Sequence, residues 1–80
     1  MSKDELYERI KRILIDDFEV DEERIAPEAR IAEDIDLDSI DAVEMIVKAR
    51  PLLKTSVDPS VFKSAKTVQD IVDVLFPLTK

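Results

Sequence analysis

The sequence predicts a small all-α protein: a four-helix bundle of three main helices and one short connector helix, with a long ordered loop between the first two. Three observations predict it. Apolar residues recur at helical spacing in three separate segments. Each of those segments opens on a serine, aspartate or threonine placed as an N-cap. No stretch carries a convincing strand pattern, and there is no internal repeat or low-complexity tract.

The first helix is expected from about Lys3 to Asp17. Ser2 can cap it, and Glu5, three residues on, completes a capping box. Leu6, Ile10, Ile13 and Leu14 form one apolar stripe with Tyr7 at its edge, and core packing explains that stripe fully. Residues 18–37 have no sustained period and are interrupted by Pro27. A structureless connection of that length is uncommon. Val20, Ile25, Ile31, Ile35 and Leu37 are therefore expected to pin it down as an ordered crossover, with one helical turn near Glu28 to Ala32.

The second helix is expected to begin at Ser39 with Asp38 as its cap. It should end by Arg50, because Pro51 disfavours helical geometry in the residue before it. On a helical wheel Asp41, Glu44 and Lys48 form a narrow polar ridge. Ile40, Val43 and Val47 lie on one flank, and Ala42, Met45, Ile46 and Ala49 on the other. That apolar arc is roughly twice the ~100° stripe of an ordinary surface helix. Either the helix is buried on two sides, or one flank is kept for a partner or an apolar cargo. Asp58-Pro59 then opens a short third helix over about Pro59 to Ser64. Thr67 caps the last helix, with Asp70 near its start, an inward stripe of Val68, Ile71, Val72 and Leu75, and Pro77 just past its end.

Eighty residues are expected to form a single domain spanning residues 1–80, with one modest core. Glycine, cysteine and histidine are all absent. The lack of cysteine rules out disulfides and thiolate metal sites, and the lack of histidine removes the commonest general base and zinc ligand. No run of about eighteen apolar residues spans a membrane. The chain starts in a charged helical pattern without a signal-peptide stretch, so cytoplasm is the expected location.

The net charge of −7 is unevenly placed. Residues 21–44 carry ten acids against two bases, whereas residues 45–80 carry three acids against six bases. Such an acidic field repels nucleic acid and anionic lipid and attracts basic protein surfaces. A solvated acidic loop that only aids solubility is the plainer alternative. Concentration of the charge around one serine favours a docking surface.

That serine, Ser39, stands among four aspartates in Asp34-Ile35-Asp36-Leu37-Asp38-Ser39-Ile40-Asp41. The alternating aspartates suggest a calcium loop. Counted from Asp34, however, the sixth position is Ser39 rather than glycine and the twelfth is Met45 rather than glutamate. A catalytic serine would need a base, and only lysine could serve. A phosphate ester fits better, because a helix amino terminus offers unpaired N–H groups and partial positive charge. On local chemistry alone, an ordinary capping serine remains the simpler reading.

The stretch Glu33-Asp34-Ile35-Asp36-Leu37-Asp38-Ser39-Ile40-Asp41-Ala42-Val43-Glu44-Met45 resembles the phosphopantetheine attachment region of acyl carrier proteins, where an E-D-L-x-x-D-S-L-D pattern opens the second helix. Thr67-Val68-Gln69-Asp70-Ile71-Val72-Asp73 is similar to that family's T-V-G-D-hydrophobic pattern. Helix order, loop lengths and acidic balance agree, so the resemblance covers nearly the whole chain. It implies an acyl-carrier-like bundle and a discrete carrier, a monomer that catalyses nothing itself. Ser39 would receive phosphopantetheine from coenzyme A through a magnesium-using phosphopantetheinyl transferase. The arm's thiol would hold acyl chains as thioesters, which suits a chain without its own cysteine.

The resemblance also assigns roles around the serine. Asp38 matches the aspartate that precedes it. Asp41 and Glu44 match acidic positions that meet basic docking patches on acyl-transferring and condensing enzymes, and Ile40, Val43 and Val47 match the apolar positions beside them. Part of the acyl chain would shelter between the helices. Some positions depart from the housekeeping fatty-acid pattern. Asp36 replaces a usual glycine, Arg50-Pro51 stands where the second helix normally continues with acidic residues, and Lys63 and Lys66 make the third-helix region basic. These departures resemble specialised carriers of secondary-lipid, polyketide or aryl-polyene pathways. An aryl or peptidyl carrier of nonribosomal synthesis is an alternative with the same serine chemistry. An unmodified helical interaction module is the alternative from a different class.

Overall fold

The computed structural model describes residues 1–55 and 65–79. Three α-helices run through them: α1 (Lys3–Phe18), α2 (Ser39–Ala49) and α3 (Val68–Leu75). Short 3-10 turns cover Glu22–Arg24, Arg50–Leu52 and Phe76–Thr79. The short helix expected over Pro59 to Ser64 lies outside the described residues.

Helix α1 forms where its N-cap and stripe predict, but among the described residues only half of the expected capping box is made, the Glu5 carboxylate lying 3.5 Å from the Ser2 hydroxyl and not on the Ser2 N–H. The Ser2 hydroxyl oxygen accepts the Glu5 N–H at 3.1 Å. Leu6, Ile10 and Leu14 are fully buried, while Ile13 and Tyr7 are half-buried at the margin of the core. The helix runs one residue beyond Asp17 and ends at Glu19, which takes a left-handed φ of 55°. The Val20 N–H then reaches back to the Leu14 carbonyl at 3.0 Å, closing the helix end. Glycine usually occupies that position because a Cβ is disfavoured there. This chain has no glycine.

The long connection between α1 and α2 is ordered by the expected anchors: Val20, Ile25, Ile31, Ile35 and Leu37 are all buried. Its local turns fall elsewhere than expected. The 3-10 turn is at Glu22–Arg24, and a second turn closes where the Arg30 carbonyl accepts the N–H groups of Asp34 and Ile35 at 2.8 and 3.1 Å. Residues 28–32 form no helix, because the Ala29 carbonyl and the Ile31 N–H are engaged by residues 66–68. Pro27 accepts the Gln69 N–H at 2.8 Å, and Ala29 accepts the Val68 N–H at 3.1 Å. Ile31 donates to Lys66 at 2.9 Å, and Arg30 pairs with Thr67 in an isolated antiparallel bridge. The loop thereby supplies acceptors for the first N–H groups of α3, which no helix can satisfy internally.

Thr67 and Asp70 complete that junction with a reciprocal capping box: Thr67 Oγ1 accepts the Asp70 N–H, and the Asp70 carboxylate accepts the Thr67 N–H, both at 3.1 Å. The same carboxylate accepts the Lys66 N–H at 3.0 Å. The Lys66 and Thr67 amides hold Asp70 below its ordinary pKa of 3.8. Val68, Ile71, Val72 and Leu75 turn inward and are fully buried. Each contributes roughly 1.5–3 kcal/mol of apolar burial. Helix α1 packs against both α2 and α3, so its stripe is the spine of the core.

After α2 the expectation at Pro51 holds only in part. The α-helix stops at Ala49, yet Arg50 keeps right-handed helical geometry (φ −52°, ψ −42°) and starts a 3-10 turn through Pro51. Pro51 sits early in that turn, where its missing N–H costs no hydrogen bond. The Lys54 N–H then bonds to the Leu78 carbonyl at 2.7 Å, tying this exit to the carboxyl-terminal turn.

Candidate attachment and docking site on the second helix

The acidic octapeptide divides into separate structural tasks. Asp34 closes the loop turn: its carboxylate accepts the Arg30 N–H at 2.8 Å and lies 3.6 Å from the Arg30 guanidinium, which also pairs with Glu33 at 2.6 Å. Asp36 takes a left-handed φ of 65°. That explains the residue: the backbone turns there through a conformation suited to glycine, and aspartate is among the few other residues that tolerate it. Asp38 is the N-cap of α2, accepting the Asp41 N–H at 2.8 Å, and Asp41 returns the bond to the Asp38 N–H at 3.4 Å.

Ser39 is therefore the first residue inside the helix and not its cap. Stabilising α2 does not call for a serine at this position. The two capped termini also differ. In α3 the loop carbonyls of Ala29 and Pro27 accept the first two N–H groups. In α2 the Asp38–Asp41 pair closes the third N–H, but the Ile40 N–H meets no acceptor among the described residues. The start of α2 thus keeps donor capacity and the positive end of the helix dipole beside Ser39. A phosphodiester fits such a terminus, because the two nearest carboxylates are turned onto the helix's own amides. Among the described residues no group of three or more acidic side chains is placed to hold a metal ion.

The wide apolar arc of α2 resolves into two faces. Ala42, Met45, Ile46 and Ala49 are buried. Ile40, Val43 and Val47 are 70%, 40% and 59% exposed, and with Met1 they are the exposed large hydrophobics of the described residues. The helix is not buried on two sides, and one flank faces out. Beside it Glu44 is exposed, whereas Asp41 is half-buried and engaged in the cap. Lys48 lies 3.6 Å from Asp17 of α1.

A groove of ≈ 360 Å³ opens beside the start of α2, lined by Phe18, Val20, Ile35 and Leu37 and edged by Arg24, Asp36 and Asp41 among others. Sequence reasoning did not assemble it. Its walls come from three separate stretches with no shared period, and only tertiary packing brings them together.

A family profile described as "Phosphopantetheine attachment site" matches residues 8–75. The chain belongs to the acyl carrier protein family. It is 40% identical over 72 residues to acyl carrier protein 2 of Ralstonia nicotianae, covering 90% of this chain and 89% of that one. It is 36% identical over 75 residues to the acyl carrier protein of Thermosynechococcus vestitus, covering 94% and 93%. The acyl carrier protein of Petrotoga mobilis is 31% identical over 75 residues. The cofactor of this family is phosphopantetheine, and the matched segment includes Ser39 and the whole of α2.

Proposed function

We propose that this protein carries acyl intermediates as thioesters on a phosphopantetheine arm attached to Ser39, in a fatty-acid-like or polyketide-like pathway. The observation that carries the assignment is the position of Ser39: it opens α2 at a terminus already capped by Asp38 and Asp41, where the Ile40 N–H meets no acceptor among the described residues. When attached, the arm supplies the thiol that this chain lacks. The chain's own residues hold and present it. Asp38 fixes the start of α2, and Asp41 locks that cap.

Glu44, with Ile40, Val43 and Val47, forms the exposed face that meets partner enzymes. In this reading the partners are a phosphopantetheinyl transferase and the acyl-transferring and condensing enzymes. Charge on such a face mainly sets encounter rate and orientation, which suits a carrier that must also let go. The protein works as a monomer and performs no catalysis itself. No described helix is long and apolar enough to cross a membrane.

The test is intact mass after incubation with coenzyme A, magnesium and a broad-specificity phosphopantetheinyl transferase. A gain of one phosphopantetheine, lost in Ser39→Ala, is expected. Absence of the gain with two unrelated transferases would favour an unmodified interaction module. A gain that persists in Ser39→Ala would move the site elsewhere. Loading with aryl or aminoacyl groups but not with acyl groups would favour a nonribosomal carrier.

A further inference from the structure

The exposed face of α2 does not end at Val47. Arg50 keeps right-handed helical geometry and lies three residues beyond Val47, seven beyond Val43 and ten beyond Ile40. At 3.6 residues per turn these four positions share one strip of the helix surface. The strip is about 15 Å long at ~1.5 Å per residue. Arg50 is exposed and makes no ion pair among the described residues, whereas Lys48 is paired with Asp17.

The two ends of this face therefore differ in sign. Asp38, Asp41 and Glu44 surround its amino-terminal half, while residues 45–55 contain Lys48, Arg50 and Lys54 and no acid. Along the axis Arg50 lies about 13 Å from Asp41 and about 18 Å from Asp38, beyond the ~10 Å Debye length at 0.1 M salt, with Glu44 between them at about 9 Å, so an incoming surface senses a change of sign along the strip.

We infer that Arg50 is a specificity-determining residue for partner choice. It meets a carboxylate on the partner enzyme, whose docking patch is basic opposite Asp41 and Glu44 and acidic opposite Arg50. A guanidinium suits this because it is always charged and can engage a carboxylate through two parallel hydrogen bonds. An enzyme with a uniformly basic patch places like charge against Arg50 and is disfavoured, which is specificity by repulsion as much as by attraction.

A second copy of this chain, docked antiparallel, would also match opposite poles. Two observations disfavour it. Each copy carries a net charge of −7. The strip exposes only three apolar side chains, far short of the ~800 Å² per partner of a standard stable interface.

The inference rests on the proposed carrier function, and its test keeps the two apart. Wild type, Arg50→Gln and Arg50→Glu are first converted to the phosphopantetheine form and scored by mass. Each is then mixed in stopped flow with a bacterial fatty-acid condensing enzyme whose docking patch bears only lysine and arginine. Arg50→Glu should associate about threefold to tenfold faster than wild type at low salt, Arg50→Gln should fall between, and 0.5 M salt should remove the difference. A condensing enzyme with one patch residue opposite Arg50 changed from lysine to glutamate should reverse the order.

Equal rates for all three carriers with both enzymes would overturn the inference while leaving the carrier reading intact. Failure to gain phosphopantetheine would instead overturn the carrier reading. Concentration-dependent dimerisation in sedimentation, abolished by Arg50→Glu, would assign the face to a second copy and overturn the enzyme-partner inference.

Discussion

Replacing Asp36 or Glu19 by glycine should stabilise this protein, although each change removes a side chain. Both residues hold left-handed backbone, with φ of 65° and 55°. An ordinary L-residue is disfavoured there by ~1–2 kcal/mol, and aspartate sits at the low end because its short side chain can bond locally. Glycine removes that cost but adds ~0.5–1 kcal/mol of unfolded-chain freedom. The net gain is therefore about 0.3 kcal/mol at Asp36 and about 0.8 kcal/mol at Glu19. For a domain of this size 1 kcal/mol shifts Tm by roughly 4–8 °C, so the expected rises are about 1–2 °C and about 3–6 °C.

The assay is thermal and urea unfolding followed by helical circular dichroism. Asp36→Ala and Glu19→Ala are the deciding controls, because each removes the same acid from a crowded acidic region but keeps a Cβ. If the alanine variants gain as much as the glycine variants, relief of charge repulsion is the cause and the backbone argument fails. Loss of stability in the glycine variants would refute it outright. Both residues border the same groove, so the double variant measures coupling between them.

Three further outcomes follow from the site and its supports. Glu44→Lys should slow association with a phosphopantetheinyl transferase several-fold at low salt and little at high salt, with unchanged unfolding, because Glu44 is exposed outside the cap; Asp41 is a poorer probe, since reversing it also breaks the capping box. Asp38→Ala should destabilise by ~1 kcal/mol and raise amide exchange at Asp41 and Ala42, which lose the ordered cap. Asp70→Asn should flatten stability on the acid side: its folded pKa is lowered, so the wild-type contribution is complete above the unfolded value near 4 and disappears as pH falls through the folded pKa. Tm measured from pH 2 to 6 should show a shallower slope in the variant, and an identical slope would rule out the Asp70 cap as a source of acid sensitivity.

Periodicity made the helices legible. Leu6, Ile10 and Leu14, and likewise Val68, Ile71, Val72 and Leu75, repeat at a spacing that only a helix with one buried face explains, and each stripe is buried. The caps at Ser2, Asp38 and Thr67 were equally readable, because capping is a local interaction between residues three apart. The turns of the long loop were not. Pro27, Ala29 and Ile31 take their conformation from hydrogen bonds to residues 66–69, some forty positions away. No local rule reports such bonds.

The serine itself shows the same division. Its sequence neighbours alone identified a family-like attachment region, and with it Ser39, Asp38, Asp41 and Glu44 as the residues to examine. They picked out Asp38 as the cap but could not sort the other three aspartates into a turn closer, a left-handed corner and the cap's reciprocal partner, because that sorting depends on which amides the fold leaves unpaired. Nor could they decide which apolar flank of α2 stays outside. A helical wheel gives the angles between side chains but not the direction of the neighbouring helix. Met45 and Ala49 join the core that holds the α1 stripe, Ala42 and Ile46 are buried on the same side, and Ile40, Val43, Val47 and Arg50 face out.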